Sequence, residues 1–362
     1  MSLRVLMAGG GSIGHVSPLL ALCEELRSRD PDTAFLCLGT STGLEARVLP
    51  ENGLSMHEID RVPMPRRPGL DLIKLPVRLR RAVASARDAI RALQADVVVG
   101  FGGYVSMPAY LAARREDVPV VVHEQNALPG LANRFAARLV ADAVAVSFPG
   151  TPLPGATFTG LPIRRSLATL DRAAMRVDAR ATLGLDPDAP TLLVTGGSQG
   201  ARRLNEAVLA AAPALSADGV GVLHVSGPNN PLTAPEQVPP YRVVGFLDRM
   251  ELGYAAADLV LCRSGANTVA EVAAVGLPAV FVPLPIGNGE QRRNAAGLLA
   301  AGGCLLVEDA DVDAAYVAGT VSPLVRDRAR LTAMAGVARD LMPPDAAARL
   351  ADLVERAGGG RR

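Results

Sequence analysis

Residues 258–294 combine residue types that could bind an anion beside a vicinal diol. An apolar run that predicts a buried parallel strand is followed by a tight turn and by a helix that Asn267 and Thr268 could cap. Unpaired N–H groups at the start of a helix suit an anion. We place Glu271 in the first turn of this helix, where its carboxylate could accept hydrogen bonds from two hydroxyls of a ribose. The alternative is a capped helix that carries a solvated acid.

His15 is the second group whose position suggests chemistry. It closes the sequence GGGSIGH, between a strand predicted at residues 3–8 and a helix predicted at residues 16–28. A helix N-terminus disfavours imidazolium, so the ring would stay neutral and could accept a proton. His123 and Glu124, at the end of another predicted strand, could also be catalytic, although polar residues there often only hold loops together.

The first loop also matches the dinucleotide fingerprint G-x-G-x-x-G through Gly9, Gly11 and Gly14, between a predicted strand and a predicted helix. That fingerprint requires an acidic residue at the end of the second strand, about 20 residues further on. The second predicted strand ends in GTST, with no acid before Glu45. NAD is therefore disfavoured, and a cradle for a phosphate or a sugar remains.

Two more glycine-rich loops follow predicted strands, GFGGYVS at residues 100–106 and GGSQGA at residues 196–201. Ser198 in the latter could bond a phosphate oxygen, and Phe246 after a later strand could lie against a flat base. The alternation of strand, loop and helix predicts parallel sheets. These loops should therefore meet at the carboxyl ends of the strands, where open α/β folds bind ligands.

The composition predicts two globular domains. A chain of 362 residues is too long for one ordinary core, and 49% hydrophobic with 20% charged residues excludes a disordered chain. The proline- and glycine-rich residues 148–160 mark the boundary between them. We predict domains at residues 1–164 and 165–340, followed by helical sequence that is broken at Pro343 and Pro344.

Other counts argue against several classes of protein. The net charge of +1 gives no argument for nucleic acid, and the longest uncharged apolar stretch, residues 273–289, contains three prolines and does not span a membrane. Four cysteines without a C-x-x-C pair indicate buried thiols in a reducing cytoplasm. Because the four histidines are scattered, the sequence predicts no metal site. With NAD disfavoured, it predicts no cofactor either.

Basic residues concentrate in one stretch of the chain. Residues 61–91 contain nine Arg or Lys against two acids, interleaved with aliphatic side chains. A basic face beside exposed aliphatic residues indicates a surface for anionic lipid. For residues 82–93 we favour the alternative, a solvated helix whose apolar face lies in the core.

Six motifs in order resemble the MurG family: GGGSIGHVSP, GFGGYVS, HEQNALPG, GLPIR, GGSQGARRLN and CRSGANTVAE. The resemblance covers nearly the whole chain. It implies the α/β GT-B glycosyltransferase architecture, in which two Rossmann-like domains with parallel sheets face each other across a cleft. It also implies that the C-terminal helix, here about residues 341–357, packs back on the N-terminal domain.

The resemblance implies a function as well. Members of this family are peripheral enzymes at the cytoplasmic face of the cell membrane. They transfer N-acetylglucosamine (GlcNAc) from UDP-GlcNAc to undecaprenyl-pyrophosphoryl-MurNAc-pentapeptide, a step of peptidoglycan biosynthesis. The N-terminal domain would associate with acceptor and membrane, and the C-terminal domain would bind UDP-GlcNAc.

Roles for individual residues follow from their positions in the motifs. His15 would be the catalytic base, Arg164 and Ser198 would contact the diphosphate, and Phe246 and Leu247 would bound the uracil. The residues that the resemblance places at the substrates are Ser12, Ile13, Gly14, Tyr104, Asn126, Arg164, Ser198, Phe246, Leu247, Ala266, Asn267, Thr268, Val269, Ala270, Glu271, Gln291 and Asn294.

Some assignments keep an alternative. Glu124 is the other candidate base. Many family members have Asp-His-Gln where this chain has Gly289-Glu290-Gln291, which keeps Gln291 and puts roles for its two predecessors in doubt. Three D-x-D triplets, a pattern that holds a divalent metal in other glycosyltransferase architectures, are interpreted here as turn and cap residues.

Two rival functions are compatible with a nucleotide-sugar fold. One is another GT-B enzyme that uses UDP-GlcNAc, such as a 2-epimerase or a transferase with a soluble acceptor. The other is a non-catalytic membrane-bound scaffold, against which the presence of His15, Arg164 and Gln291 argues.

Overall fold

The structure is a computed structural model that describes residues 2–62, 70–197 and 200–360, without the side chains of Ile13 and of residues 70–74. Ser198, expected at the diphosphate, lies outside the described residues.

The chain divides into two compact units. Unit 1 comprises Met1–Arg165 and Asp345–Arg362, and unit 2 comprises Ser166–Pro344. Each unit has its own parallel sheet and its own core, as expected for a Rossmann-like domain.

A parallel sheet of seven strands forms the centre of unit 1. The strands are β1 (Arg4–Ala8), β2 (Ala34–Gly39), β3 (Met56–Glu58), β4 (Val97–Gly100), β5 (Val120–Glu124), β6 (Ala143–Val146) and β7 (Ala156–Phe158). Their order is β3-β2-β1-β4-β5-β6-β7. Most are short runs of Val, Leu and Ala that are buried on both faces, which a parallel sheet covered by helices requires.

Helices cover both faces of this sheet. They are α1 (Ile13–Arg29), α2 (Glu45–Glu51), α3 (Leu70–Leu93), α4 (Ser106–Arg115) and α5 (Leu131–Leu139). Leu19 and Leu22 of α1 pack on one face, and Val83 of α3 and Tyr110 of α4 pack on the other.

Unit 2 repeats the same architecture with six parallel strands in the order β10-β9-β8-β11-β12-β13. The strands are β8 (Thr191–Thr195), β9 (Gly221–Val225), β10 (Tyr241–Val244), β11 (Leu259–Cys262), β12 (Ala279–Phe281) and β13 (Cys304–Leu306). The sheet is again made of apolar runs that the helices of the unit bury.

The helices between and after these strands are mostly short. They are α6 (Arg165–Ala168), α7 (Arg172–Leu183), α8 (Arg202–Ala210), α9 (Ala212–Ala217), α10 (Met250–Ala256), α11 (Ala266–Ala274), α12 (Glu290–Ala300), α13 (Ala314–Tyr316), α14 (Ser322–Arg326) and α15 (Arg328–Leu341). The predicted break at Pro343 and Pro344 is confirmed, because α15 ends before these prolines and α16 (Ala346–Gly359) begins after them.

The last helix, α16, belongs to unit 1 although it follows unit 2 in sequence. Its Leu350 and Val354 are fully buried in the core that contains α1 and β1. An ion-pair cluster supports this packing, since Arg29 of α1 contacts Asp352 at 2.7 Å and Glu355 at 2.9 Å.

The basic stretch divides into two parts. In the second part, Ala82, Val83 and Ile90 are buried in the core, which confirms the interpretation of residues 82–93 as a helix with an inward apolar face. In the first part, Arg80 is exposed and Val77 is 52% exposed. Of the remaining basic residues, Arg66 and Arg67 lie outside the described residues, as does the side chain of Lys74.

Three strands of unit 1 and the start of helix α1 were not anticipated. No strand was predicted at β3, β6 or β7. β3 and β7 are three-residue strands at the two edges of the sheet, and β6 has four residues. Helix α1 begins at Ile13 and not near residue 16, because the Ser12 carbonyl already accepts the His15 and Val16 amides. His15 therefore lies inside the first turn of the helix.

Candidate active site

The first two glycine-rich loops meet where the strand order of unit 1 reverses, between β1 and β4. The Ser106 hydroxyl lies 2.9 Å from the Ala8 carbonyl oxygen and 2.7 Å from that of Gly102, which ties the two loops together. Gly103 has a φ of +84°, and a Cβ there would collide with the Gly10 carbonyl. The loops thus pack backbone against backbone, at the position where open α/β sheets bind ligands.

His15 is half-buried between these loops. Its Nδ1 lies 2.8 Å from the Ser12 hydroxyl, and a Cβ built on Gly102 would lie 3.3 Å from its Nε2. Burial lowers the pKa of His15 to about 4, although the nearby Glu45 charge acts in the opposite direction. The ring is neutral at pH 7, as predicted, with burial as the main cause.

Glu45 lies fully buried behind the first glycine loop. Its Oε2 accepts the Gly11 amide at 2.9 Å, and its Oε1 accepts the Thr40 amide at 3.1 Å and the Thr40 hydroxyl at 3.0 Å. Burial by itself would raise the pKa of Glu45, but these hydrogen bonds outweigh it and lower the pKa below its ordinary value. The carboxylate is therefore ionised inside the protein.

Glu124, the other candidate base, is also buried and fully engaged. Its Oε1 accepts the Asn126 amide at 2.9 Å, and its Oε2 accepts the Gly130 amide and the Asn133 Nδ2, both at 3.0 Å. Burial raises the pKa of Glu124, while these bonds oppose the rise. In this arrangement the carboxylate holds the loop that carries Asn126.

Tyr104 lies at the open side of the same site. Its ring is 39% exposed and lies next to Gly11, where an added Cβ would be 3.3 Å from Tyr104 Cδ2. The guanidinium carbon of Arg61 lies 4.8 Å from the ring centroid, a cation–π contact. A positive charge is thus held beside the first glycine loop.

Unit 2 has a corresponding position between β8 and β11, where its strand order reverses. Helix α11 begins there after Gly265, with no side chain capping its first amides. The Ser264 hydroxyl, fully buried, and the buried Asn267 Oδ1 have no hydrogen-bond partner in the part of the chain that the structure describes. The first amides of the helix and the Ser264 hydroxyl can donate to an anion, and the Asn267 Oδ1 can accept from a hydroxyl or N–H group of the same ligand.

The prediction that Glu271 lies in the first turn of this helix is wrong. Helix α11 starts at Ala266, because Gly265 and not Asn267 or Thr268 is the residue before its first turn, so Glu271 falls in the second turn. Its Oε2 accepts a hydrogen bond from the Tyr254 hydroxyl at 2.9 Å. Burial, followed by the Glu271 charge, raises the pKa of Tyr254, so the hydroxyl stays protonated and donates.

Other α11 residues differ in what they can offer a ligand. Val269 and Ala270 are buried, and the Val269 amide donates to the Gly265 carbonyl at 3.0 Å. The amides of Ala266, Asn267 and Thr268 lie in the first turn, where a helix leaves its amides without intrahelical partners.

Helix α12 brings two predicted residues to the same edge. Asn294 is 1% exposed and donates through Nδ2 to the Ser264 carbonyl at 3.3 Å. Gln291 accepts the Leu284 amide through Oε1 at 3.0 Å, which holds the loop before the helix. Glu290 exchanges two 3.3 Å bonds with Asn288, so in this chain it closes the turn that starts α12.

The residues expected around the uracil and the diphosphate differ in exposure. Phe246 is 58% exposed, as a surface for a flat ligand would be, and Leu247 is half-buried against Gly253 of α10. Arg164 is exposed at the end of unit 1. Its predicted partnership with Ser198 stays a prediction.

The D-x-D triplets lie in turns, as predicted. Asp30 accepts the Asp32 amide at 3.0 Å, and Asp186 accepts the Asp188 amide at 2.8 Å. The third triplet, Asp309–Asp311, forms a 3₁₀ turn, and its Asp309 also pairs with Arg263 at 2.6 Å. Within the described ranges, no group of three or more His, Cys, Asp or Glu could hold a metal ion.

Several site residues were missed from the sequence. Glu45 was considered only as the acid that comes too late for a dinucleotide fingerprint, and Ser264 only as part of a turn. Asn133 links Glu124 to the Tyr110 hydroxyl, which donates to it at 2.7 Å. No local pattern marks Asn133 or Tyr254, because their partners are brought close only by the fold.

Comparison with known proteins gives two family matches, one in each half of the chain. Residues 5–145 match the glycosyltransferase family 28 N-terminal domain, and residues 191–355 match the glycosyltransferase family 28 C-terminal domain.

Full-length relatives agree with these matches. The chain is 59% identical to a UDP-N-acetylglucosamine–N-acetylmuramyl-(pentapeptide) pyrophosphoryl-undecaprenol N-acetylglucosamine transferase of Nocardioides sp., with 99% of both chains covered. It is 52% identical, with the same coverage, to the protein of that name from Streptomyces avermitilis. The crystal structure of Acinetobacter baumannii MurG matches with a TM-score of 0.76 and 30% identity, over 98% of this chain and 100% of that one.

The fold agrees with this relationship, since two Rossmann-like units with parallel sheets are the domains expected of a GT-B glycosyltransferase. Identity above 50% over the full length, together with both domain matches, is decisive. The chain belongs to the MurG family of glycosyltransferases.

Proposed function

We propose that the protein transfers GlcNAc from UDP-GlcNAc to the 4-hydroxyl of MurNAc in undecaprenyl-pyrophosphoryl-MurNAc-pentapeptide. The names of the full-length relatives support this donor and this acceptor. The structural observation that carries the proposal is the state of His15, a neutral imidazole held by Ser12 at the reversal point of a parallel sheet.

The chemistry requires one proton acceptor and one stabilised leaving group. The MurNAc hydroxyl oxygen attacks the anomeric carbon of the α-linked sugar, the bond to the UDP oxygen breaks, and a β-1,4 bond forms with inversion. His15 takes the hydroxyl proton, because its ring is neutral at pH 7 and Ser12 fixes its orientation through Nδ1. UDP leaves with the electron pair of the broken bond.

Unit 2 would hold the donor. The first amides of α11 and the Ser264 hydroxyl can donate to a diphosphate, and the Asn267 carbonyl oxygen can accept from a hydroxyl or N–H group of the nucleotide. The Glu271 carboxylate would accept hydrogen bonds from the ribose, while the Tyr254 hydroxyl donates to its Oε2 and holds it in place. Such fixed dipoles would also stabilise the charge that develops on departing UDP.

We infer that a lipid-linked acceptor would bring the reaction to the cytoplasmic membrane face. No described helix is long and apolar enough to cross a bilayer. The first part of α3 supports peripheral contact, since Arg80 and Arg81 are exposed beside the 52% exposed Val77. Such a face would attract anionic lipid and insert apolar side chains shallowly.

A parallel assay tests the proposal. UDP-GlcNAc turnover is measured with the lipid-linked MurNAc acceptor, with a water-soluble sugar acceptor and with no acceptor. We expect rapid transfer only to the lipid-linked acceptor. Epimerised or hydrolysed UDP-GlcNAc without acceptor, or preferred transfer to the soluble sugar, would assign the protein a different GT-B activity.

A further inference from the structure

The Glu45 carboxylate is held in a way that links it directly to the first glycine loop. It is 0% exposed, and its oxygens accept three hydrogen bonds, one from the Gly11 amide and two from Thr40. No ion pair joins it to any Lys, Arg or His in the described ranges. Its charge is therefore balanced by these donors, and the positions of the donors are constrained by it.

Glycines leave room for this carboxylate. A Cβ on Gly10 would lie 2.8 Å from Glu45 Oε1, and a Cβ on Gly39 would lie 2.9 Å from its Cγ. A Cβ on Gly43 would overlap the same carboxylate. The backbone of three segments closes around one charged group, so any shift of the carboxylate shifts the loop that begins with Gly10.

The path from Glu45 to His15 is short. Glu45 fixes the Gly11 amide, Gly11 adopts a φ of +87°, and the next residue, Ser12, bonds His15 Nδ1 at 2.8 Å. The Glu45 charge also acts directly on the imidazole, where it opposes the effect of burial on the pKa of His15.

The structure assigns Glu45 as a positioning residue that holds the first glycine loop, and through it His15, in place for proton transfer. Glu45 does not touch the reacting atoms. The inference rests on the proposed role of His15 as the base, and it adds a second acid to the site besides Glu124.

Glu45→Gln tests this inference with little change of volume. An amide has one acceptor oxygen and one NH2 group, so it cannot accept from both Gly11 and Thr40. We expect kcat to fall about 10- to 100-fold, the scale of a misplaced catalytic group. We expect the dissociation constant of UDP-GlcNAc to change less than about threefold, and hydrogen exchange of the Gly11 amide to accelerate.

Asp96→Asn is the matched control. Asp96 is another carboxylate of unit 1 that accepts a backbone amide, from Arg4 at 2.9 Å, but it lies at the opposite ends of the strands. Its loss should lower the melting temperature without slowing the transfer step selectively. Equal kcat losses in the two variants, or a normal kcat with Gly11 still protected in Glu45→Gln, would overturn the inference.

Two further measurements keep the test decisive. If Glu45→Gln does not fold, Gly10→Ala presses on the same carboxylate from the loop side and should produce the same accelerated exchange and lower kcat. If the wild-type protein shows no GlcNAc transfer, the proposed function fails. Hydrogen exchange at Gly11 and NMR titration of His15 still test whether Glu45 positions the loop and His15. An unchanged His15 pKa and unchanged exchange in Glu45→Gln would then refute the inference by themselves.

Discussion

The two units share one topology but differ in how their polar groups are satisfied. At the reversal point of unit 1, His15 bonds Ser12, Glu45 bonds Gly11 and Thr40, and Glu124 bonds three donors. At the corresponding point of unit 2, the Ser264 hydroxyl and the Asn267 Oδ1 have no partner among the described residues.

This difference indicates a division of labour. Groups that are already bonded keep their geometry without a ligand, which suits a residue that must meet a reacting atom. A buried polar group without a partner costs about 1–3 kcal/mol, a cost that a ligand can recover on binding. We therefore propose that unit 1 carries out proton transfer and that unit 2 binds the donor.

The largest expected effect is on catalysis in unit 1. His15→Ala should lower kcat by about 10² to 10⁴, the usual contribution of general base catalysis. His57→Ala is the matched control. His57 is also half-buried in unit 1, but it lies away from the site, where its Nε2 is 2.9 Å from the Ser85 hydroxyl. Steady-state kinetics of both variants, with Glu124→Gln beside them, would move the base to Glu124 if only the last variant is slow.

The pH dependence sharpens this prediction. Imidazole must be neutral to accept a proton, and the pKa of His15 is lowered to about 4. The acidic limb of the kcat/KM profile should therefore lie near pH 4 and not near the ordinary histidine value of about 6.5, with the rate falling as pH drops through that limb. A limb near pH 6.5 that is absent from His15→Ala would show that the ring is more exposed in solution.

Membrane binding is expected to depend on unit 1 only. Replacing Arg78, Arg80 and Arg81 with Glu should abolish binding to anionic vesicles, because each basic residue contributes about 1 kcal/mol near such a surface. Binding of the wild type should weaken as salt rises. The control is the same reversal at the exposed Arg328, Arg330 and Arg339 of unit 2. Vesicle sedimentation that is indifferent to the first reversal would remove α3 from the membrane face.

Donor affinity is expected to depend on unit 2. Glu271→Ala should weaken UDP-GlcNAc binding by about 1 to 3 kcal/mol, the scale of hydrogen bonds to a charged group. The Glu271 carboxylate accepts from the Tyr254 hydroxyl at 2.9 Å and is expected to accept from the ribose. Tyr254→Phe separates these two roles, because it removes only the hydrogen bond from Tyr254. Calorimetry in which both variants bind equally well, or lose affinity equally, would locate the ribose contact elsewhere.

The smallest effect concerns the unsatisfied hydroxyl. Ser264→Ala should weaken donor binding by about 1 kcal/mol while leaving the stability of the free protein unchanged or slightly higher, because a buried hydroxyl without a partner is removed. Ser322→Ala, equally buried but bonded to Asp218 at 2.6 Å, should lose stability and keep donor affinity. Thermal unfolding measures stability and calorimetry measures donor affinity. A loss of stability in Ser264→Ala together with a loss of donor affinity in Ser322→Ala would contradict the difference between the two units.

Much of the fold was predictable because its signals are local. Apolar runs, glycine-rich loops and the Pro343-Pro344 break are patterns of neighbouring residues. The structure confirms the parallel sheets that these patterns predict in both units. The strands β3, β6 and β7 were missed, since runs of three or four residues carry little periodicity.

The site was only partly predictable for a related reason. Residues in recognised motifs, such as His15 and Glu271, could be named, but the turn that holds Glu271 was placed wrongly because a glycine precedes the helix without a capping side chain. Glu45 and Tyr254 act through partners 34 and 17 residues away, so no local pattern could mark them.

The division between the units can be tested in one crossed measurement. UDP-GlcNAc affinity by calorimetry and transfer rate at saturating donor are measured on the same preparations of His15→Ala and Glu271→Ala. We predict that His15→Ala loses about 10² to 10⁴ in rate and keeps donor affinity within about threefold. Glu271→Ala should lose about 1 to 3 kcal/mol of affinity and keep most of its rate. Both variants losing rate and affinity in the same proportion would contradict a separate base in unit 1 and donor site in unit 2.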